Sequence, residues 1–228
     1  MDITLHYIEA GEGFPLILLH GNGSSSSYFE HQIPYFAKRY HVYAVDTRGH
    51  GASPRGTAPF TMRQFAEDLR GFMDAQGIKK AHILGFSDGG NIAMTFALRY
   101  PERIEKLILN GANLHTGGVK RHLQIPIEIG YRLAKLSAEK SPQAKLKYEL
   151  LGLMVNEPNL RAAQLKSLCM PRLVLVGSND MIQASHSKKI AVALPNAQLV
   201  TLKGGHCIAA ESPTEYNRVV DAFLKGIL

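Results

Sequence analysis

Ser87 stands in Gly85-Phe86-Ser87-Asp88-Gly89, where an apolar run gives way to a glycine-flanked serine and then to a helical pattern. A serine on a sharp strand-to-helix turn has a strained backbone, so the positions two residues to either side must carry almost no side chain if strand and helix are to close up. Gly85 and Gly89 occupy those positions. The following helix would aim its free N–H groups and positive dipole end at any anion forming beside the serine. Three fixed residues in five recur by chance, so the flanks carry the argument. Residues 81–84 read as a buried strand, and residues 91–100 as a helix stopped by Pro101.

A serine hydroxyl is a poor nucleophile at neutral pH. It needs a base within hydrogen-bond reach and an acid to hold that base in the right tautomer. Asp180 follows the strand-like run 172–176, and His206 follows the run 198–202 in Gly204-Gly205-His206. If both runs are parallel strands, both residues emerge on the sheet edge that carries Ser87, in the chain order Ser, Asp, His. Asp46 also follows a strand, but it opens a polar turn. Two N–H donors are needed for an oxyanion: the backbone of Asp88 supplies one, and Asn22, after the strand ending at Leu19, supplies the other, with its side chain as a further donor. The Asp88 carboxylate either faces the pocket, favouring a cationic substrate group over an anionic one, or sits against the helix dipole. Tyr131, Leu133, Leu136, Leu150, Leu153 and Met154 either form an acyl pocket or pack a helical segment onto the core. His20 reads as a structural hydrogen-bonding residue, and Cys207 as an inert thiol despite its place beside His206.

The elements that must position these groups follow in order. Residues 3–8 alternate as an edge strand, residues 15–19 form a strand covered on both faces, and residues 28–40 have helical spacing. A strand at 42–45 leads into the Gly-rich turn 46–54, and Thr61 caps a helix running to about Ala75 with Phe65, Leu69 and Phe72 on one face. Another strand spans 104–109. The strand–helix alternation predicts short right-handed crossovers and a mostly parallel sheet. It breaks at residues 113–167, where three helices are expected at 125–136, 142–153 and 158–168, as a lid over the C-terminal edge. Strands at 172–176 and 198–202 and helices at 185–194 and 213–224 complete a core made of residues 1–112 and 168–228.

With 228 residues, 45% hydrophobic and 20% charged, the composition is that of an ordinary globular domain. The N-terminus starts directly on strand-like alternation, and two cysteines suit a reducing compartment, so a cytoplasmic protein is expected. The net charge of +7 is concentrated between Gly118 and Lys166, which hold nine basic and four acidic residues. Without a basic-aromatic repeat, that surplus reads as solvated helix faces, and neither a nucleic-acid nor a membrane partner is expected. The histidines lack ligand spacing, so no metal is expected.

His20-Gly21-Asn22-Gly23, the segment DTRGHGAS from Asp46 to Ser53, Gly85-Phe86-Ser87-Asp88-Gly89-Gly90, Asp180 and Gly205-His206 together resemble the α/β-hydrolase fold family, in order and approximate spacing over essentially the whole chain. The resemblance implies an α/β fold, a mostly parallel sheet flanked by helices with a short helical lid inserted after the sixth family strand. It implies a serine hydrolase without cofactor that cleaves a small carboxylic ester through an acyl-enzyme, with Ser87, His206 and Asp180 as triad. Amide, thioester or carbon–carbon bond hydrolysis, perhydrolysis and lyase chemistry share the fold, as do non-catalytic sensors. A serine at position 87 argues against the branches that use aspartate there. Asp46, Arg48, His50 and Ser53 resemble the family's structural turn. The chain departs in having one strand before Gly11, in Met181-Ile182-Gln183 after the acid, and in a short lid, which suggests a more open pocket.

Overall fold

The structure is a computed structural model that describes residues 2–228. Seven strands form one sheet: β1 (Tyr7–Ala10), β2 (Phe14–Leu19), β3 (Tyr40–Val45), β4 (Ala81–Phe86), β5 (Ile104–Asn110), β6 (Arg172–Gly177) and β7 (Gln198–Leu202). Their spatial order is β1-β3-β2-β4-β5-β6-β7. Only β1 pairs antiparallel, against β3, and every other pairing is parallel. The mostly parallel sheet is therefore as expected, with a single strand before Gly11 at its edge.

Alternation along the strands splits the core into two layers. In β2, Ile17 and Leu19 face one layer with Ile83 and Leu107, while Leu16 and Leu18 face the other with Leu84 and Ile108. The first layer is covered by α2 (Met62–Ala75) and α3 (Asp88–Arg99), with Phe65, Leu69 and Phe72 packed inward. Phe29, Phe36, Tyr216 and Phe223 cover the second, the last two from the closing helix Pro213–Lys225. Side chains buried this completely contribute about 1.5–3 kcal/mol each. Thr61 caps α2, its hydroxyl accepting from the Gln64 N–H at 3.1 Å.

Three expected elements differ. Residues 2–6 do not pair as strand, because they are tied to the turn that follows β3. The His6 N–H donates to Ser53 Oγ at 2.8 Å, the His6 carbonyl accepts from the Asp46 N–H, and Asp2 is held by Arg48. The helix expected over 28–40 is a 3-10 turn, Ser26–Phe29, and one short helix, α1 (Ile33–Phe36). Pro34 lacks the N–H a continuous helix would use and its ring would meet the carbonyl of the preceding turn. Residues 158–168 give only a 3-10 segment, Ala162–Ser167.

The segment 113–167 otherwise holds a 3-10 turn, Thr116–Gly118, and the helices α4 (Arg121–Lys135) and α5 (Pro142–Asn156), which pack on each other with the rings of Tyr131 and Tyr148 stacked 4.9 Å apart. Arg55 ties α5 to the core by a two-pronged ion pair with Glu149, at 2.7 and 2.6 Å. After β6 come α6 (Ala184–Ala193), then, past β7, α7 (Ile208–Glu211) and α8 (Pro213–Lys225).

Candidate active site

Each candidate group follows the C-terminal end of a parallel strand: Asn22 after β2, Ser87 after β4, Gly111 after β5, Asp180 after β6 and His206 after β7. Ser87 has φ 52° and ψ −119°, a left-sided conformation that costs a non-glycine residue roughly 1–3 kcal/mol. The surroundings enforce it. A Cβ on Gly85 would overlap the Gly89 backbone, and one on Gly89 would overlap the Leu19 carbonyl, while the Ser87 N–H donates to the Asn110 carbonyl at 2.8 Å.

Ser87 Oγ lies 2.9 Å from His206 Nε2, and His206 Nδ1 lies 2.7 Å from Asp180 Oδ1. Asp180 cannot donate while ionised, so Nδ1 carries the ring proton and Nε2 is left to accept from the serine hydroxyl. Asp180 is buried and also receives the Ile182 N–H at 2.9 Å, which fixes its carboxylate plane. The imidazole is further confined by Phe86, with ring centroids 4.9 Å apart, and by Gly111, where a Cβ would sit 2.8 Å from His206 Cε1. The backbone N–H groups of Asn22 and Asp88 donate to no other group among the described residues, so both are available to an oxyanion. The Asn22 side chain, expected as a further donor, is not available. Its amide donates to Asp88 Oδ2 at 2.9 Å and to the Leu150 carbonyl of α5 at 3.0 Å.

Asp88 is buried within a chain of amides. Asn91 donates to it at 3.0 Å and shares the same amide with Asn113 at 3.0 Å. Burial pushes its carboxyl above the usual range despite these donors. Glu157 accepts the Met62 N–H at 2.6 Å and is likewise pushed up, first by burial and then by the nearby charge of Asp88. Both acids, with Gln124 and Met154, line a cavity of about 30 Å³ beside Ser87. The open pocket expected from a short helical segment is thus not what the fold has, because Met154 from α5, Gln124 from α4 and Met181 from the loop after β6 fill the space.

Of the side chains expected in an acyl pocket, Met154 lines this cavity and Leu153 belongs to the core. Tyr131 does not line it; its ring is committed to Tyr148, and the two hydroxyls meet at 2.9 Å. Leu133 and Leu136, 62% and 78% exposed, pack on neither core nor cavity. Gly111, Gln124 and Glu157 went unread in the sequence. Gly111 alone left a trace, in the Asn-Gly pair that closes β5.

The polar turn is structural. Asp46 accepts from the N–H groups of Ser26 and Ala52 and pairs with His6, while Arg48 is fully buried between Asp68 and Asp2. His20 donates from Nδ1 to the Gly21 carbonyl at 2.7 Å and accepts the Thr47 N–H at Nε2, so it is neutral; burial pushes it down to about 4. The Cys207 thiol is pushed up by burial, opposite to what a reactive thiolate needs.

Known proteins resemble this chain in sequence and fold. The family model described as alpha/beta hydrolase fold matches residues 15–131. The chain is 31% identical to the 2-hydroxy-6-oxononadienedioate/2-hydroxy-6-oxononatrienedioate hydrolase of Comamonas testosteroni, over 98% of this chain and 92% of that protein. It is 30% identical to the 2-hydroxy-6-oxo-6-phenylhexa-2,4-dienoate hydrolase of the same organism, with the same coverage. Among solved structures, the meta-cleavage product hydrolase of Pseudomonas fluorescens IP01 superposes with a TM-score of 0.81 at 28% identity, covering 99% of this chain and 96% of that one.

Proposed function

The chain is a hydrolase of the alpha/beta hydrolase fold family, and from that premise we propose that it cleaves a small carboxylic ester through an acyl-enzyme formed on Ser87. The observation that carries this reading is the hydrogen-bonded series Ser87–His206–Asp180, at 2.9 and 2.7 Å. Ser87 Oγ attacks the carbonyl carbon as His206 Nε2 takes its proton. Asp180 holds the imidazole and stabilises the imidazolium. The N–H groups of Asn22 and Asp88 take the negative charge that develops on the carbonyl oxygen, helped by the N-terminal end of α3. The tetrahedral adduct collapses, and His206 returns the proton to the leaving alcohol. Water then repeats the sequence on the acyl-enzyme, with His206 again as base. Residues 113–167 act as a lid, held to the oxyanion loop through the Asn22 amide and the Leu150 carbonyl.

The cavity suggests which substrates fit. Its polar lining is dominated by acceptors: the carboxylates of Asp88 and Glu157, and Gln124 Oε1, which is buried without a hydrogen-bond partner. The Gln124 amide and the amides of Asn91 and Asn113 are spent elsewhere. Such a lining favours a substrate group that donates, above all an ammonium, and opposes a carboxylate. A second reading, hydrolysis of a dienoate of the kind named for the relatives, is favoured by the 30–31% identity and opposed by that same lining. A cytoplasmic location belongs to the proposal and is supported by two unpaired cysteines.

Intact mass after fluorophosphonate treatment tests nucleophile activation without a chosen substrate. A single adduct on the wild type, absent from Ser87→Ala and much slowed in His206→Ala, is expected. A folded wild type that takes no adduct would overturn the acyl-enzyme reading. A panel of aminoacyl, neutral and dicarboxylic esters beside a dienoate then separates the two substrate readings.

A further inference from the structure

Helix α4 is apolar on a side that none of the described residues covers. Its buried residues are Gln124 and Ala134, whereas Ile125, Ile129, Leu133 and Leu136 are 41%, 53%, 62% and 78% exposed. At 100° per residue, the spacings of four, four and three place these four side chains within one stripe of the helix surface. A stripe of this kind ordinarily faces a core. Here the core-facing side is taken by Gln124, which reaches the cavity and donates to the Met154 carbonyl at 3.1 Å.

Basic residues edge the stripe. Arg132 and Lys135 are exposed in its last turns, Arg121 is exposed in its first, and Lys140 follows just beyond. The acids nearby are Glu128, which Arg121 engages at 2.7 Å, and the exposed Glu139. A long apolar stripe bordered by Arg and Lys is the pattern by which a helix lies in the interface of a bilayer, its apolar side chains among the acyl chains and its cations at anionic headgroups. We propose that α4 docks this protein on an anionic lipid surface. Charge selects this occupant over a second copy: a two-fold pairing of α4 on α4 would bring the cationic borders of both copies together, with few acids to offset them. Among the described residues no helix is long and apolar enough to cross a membrane, so the contact is peripheral. The proposal is independent of the hydrolytic reading, since none of its residues touches Ser87, His206 or Asp180.

Co-sedimentation of the full chain with vesicles tests it, using phosphatidylglycerol mixed equally with phosphatidylcholine against phosphatidylcholine alone. Binding is expected to the mixed vesicles only and to weaken with salt. The double variant Ile129→Ser with Leu133→Ser, and separately Arg132→Glu with Lys135→Glu, should each bind at least about tenfold more weakly, since each basic residue near the surface is worth roughly fivefold. All four side chains are solvent-exposed, so folding and fluorophosphonate labelling should be unchanged in both variants. Equal sedimentation of wild type and variants, or none of the wild type at low salt, overturns the proposal. So does a wild-type dimer, seen by sedimentation velocity, that becomes monomeric in the apolar variant, because the stripe would then be an interface between copies.

Discussion

At the scale of single residues, the site is defined by what is missing as much as by what is present. Gly111 has φ +59°, and a Cβ there would come within 2.8 Å of His206 Cε1 and 3.0 Å of Nδ1. Gly111→Ala therefore pushes the imidazole away from both Ser87 and Asp180. A displacement approaching 1 Å costs on the order of 10²-fold in rate. We expect kcat of an ester to fall by about that much, with KM nearly unchanged and the fold retained by circular dichroism; an unchanged kcat would mean the ring has room to adapt. Asp88→Asn tests the charge in the cavity. An amide can still accept from one of Asn22 and Asn91 but carries no charge, so esters with an ammonium group should lose about tenfold in kcat/KM relative to neutral esters. Equal losses on both would assign Asp88 to helix and loop positioning alone.

At the scale of elements, the loop after β3 is held by one buried cation. Arg48 forms two parallel bonds to Asp68 of α2, both at 2.7 Å, and a further bond to Asp2 at 2.6 Å. Arg48→Ala leaves Asp68 buried without its partner, a change that costs roughly 3–5 kcal/mol. A urea titration should show that loss as a lower midpoint, and Arg48→Lys should recover only part of it, because an ammonium cannot reproduce the two-pronged geometry. This turn was legible in the sequence as a structural unit, since no regular element accommodates DTRGHGAS. The central strands were legible for a related reason: runs such as Leu16 to Leu19 leave no alternative to burial on both faces. Ser87 and Asp180 were legible because each stands just past such a strand, and His206 because it follows the next strand-like run, although that run is a half-exposed edge strand. Elements failed where a local rule met a tertiary one. Pro34 cut the helix expected over 28–40, and tethering to Asp46, Ser53 and Arg48 replaced strand pairing at residues 2–6. In α4 the apolar period was visible, but a period says only that one side is apolar, not which side meets the core. That is why pocket and core packing both stay open for Tyr131, Leu133 and Leu136 in the sequence, and the last two meet neither. Gln124 and Glu157 reach the cavity only through the packing of α4 and α5, which no local pattern encodes.

At the scale of the whole molecule, several histidines are built in as neutral groups. His20, His82 and His186 are each pushed down to about 4, first by burial. His20 and His186 also accept backbone N–H bonds, from Thr47 and Leu114, that a protonated ring could not accept. A histidine whose folded value lies below its unfolded value of about 6.5 binds fewer protons folded than unfolded. Its contribution is complete above pH 6.5 and is lost as pH falls towards 4, on the order of 3 kcal/mol for His20 alone. Asp88 and Glu157 act in the opposite sense. Their folded values are raised, so the cost of burying them ionised is relieved as they take up protons on acidification. Three histidines outweigh two acids towards pH 5, because each unfolded ring is charged there while the two acids can each release at most one proton on unfolding. Unfolding at pH 5 should therefore take up protons on balance, and the urea midpoint should fall as pH is lowered towards 5. His186→Asn keeps an acceptor near the Leu114 N–H while removing the titration, so it should flatten that slope at some cost in stability at pH 7. A midpoint independent of pH between 5 and 7 would mean that the acids balance the histidines.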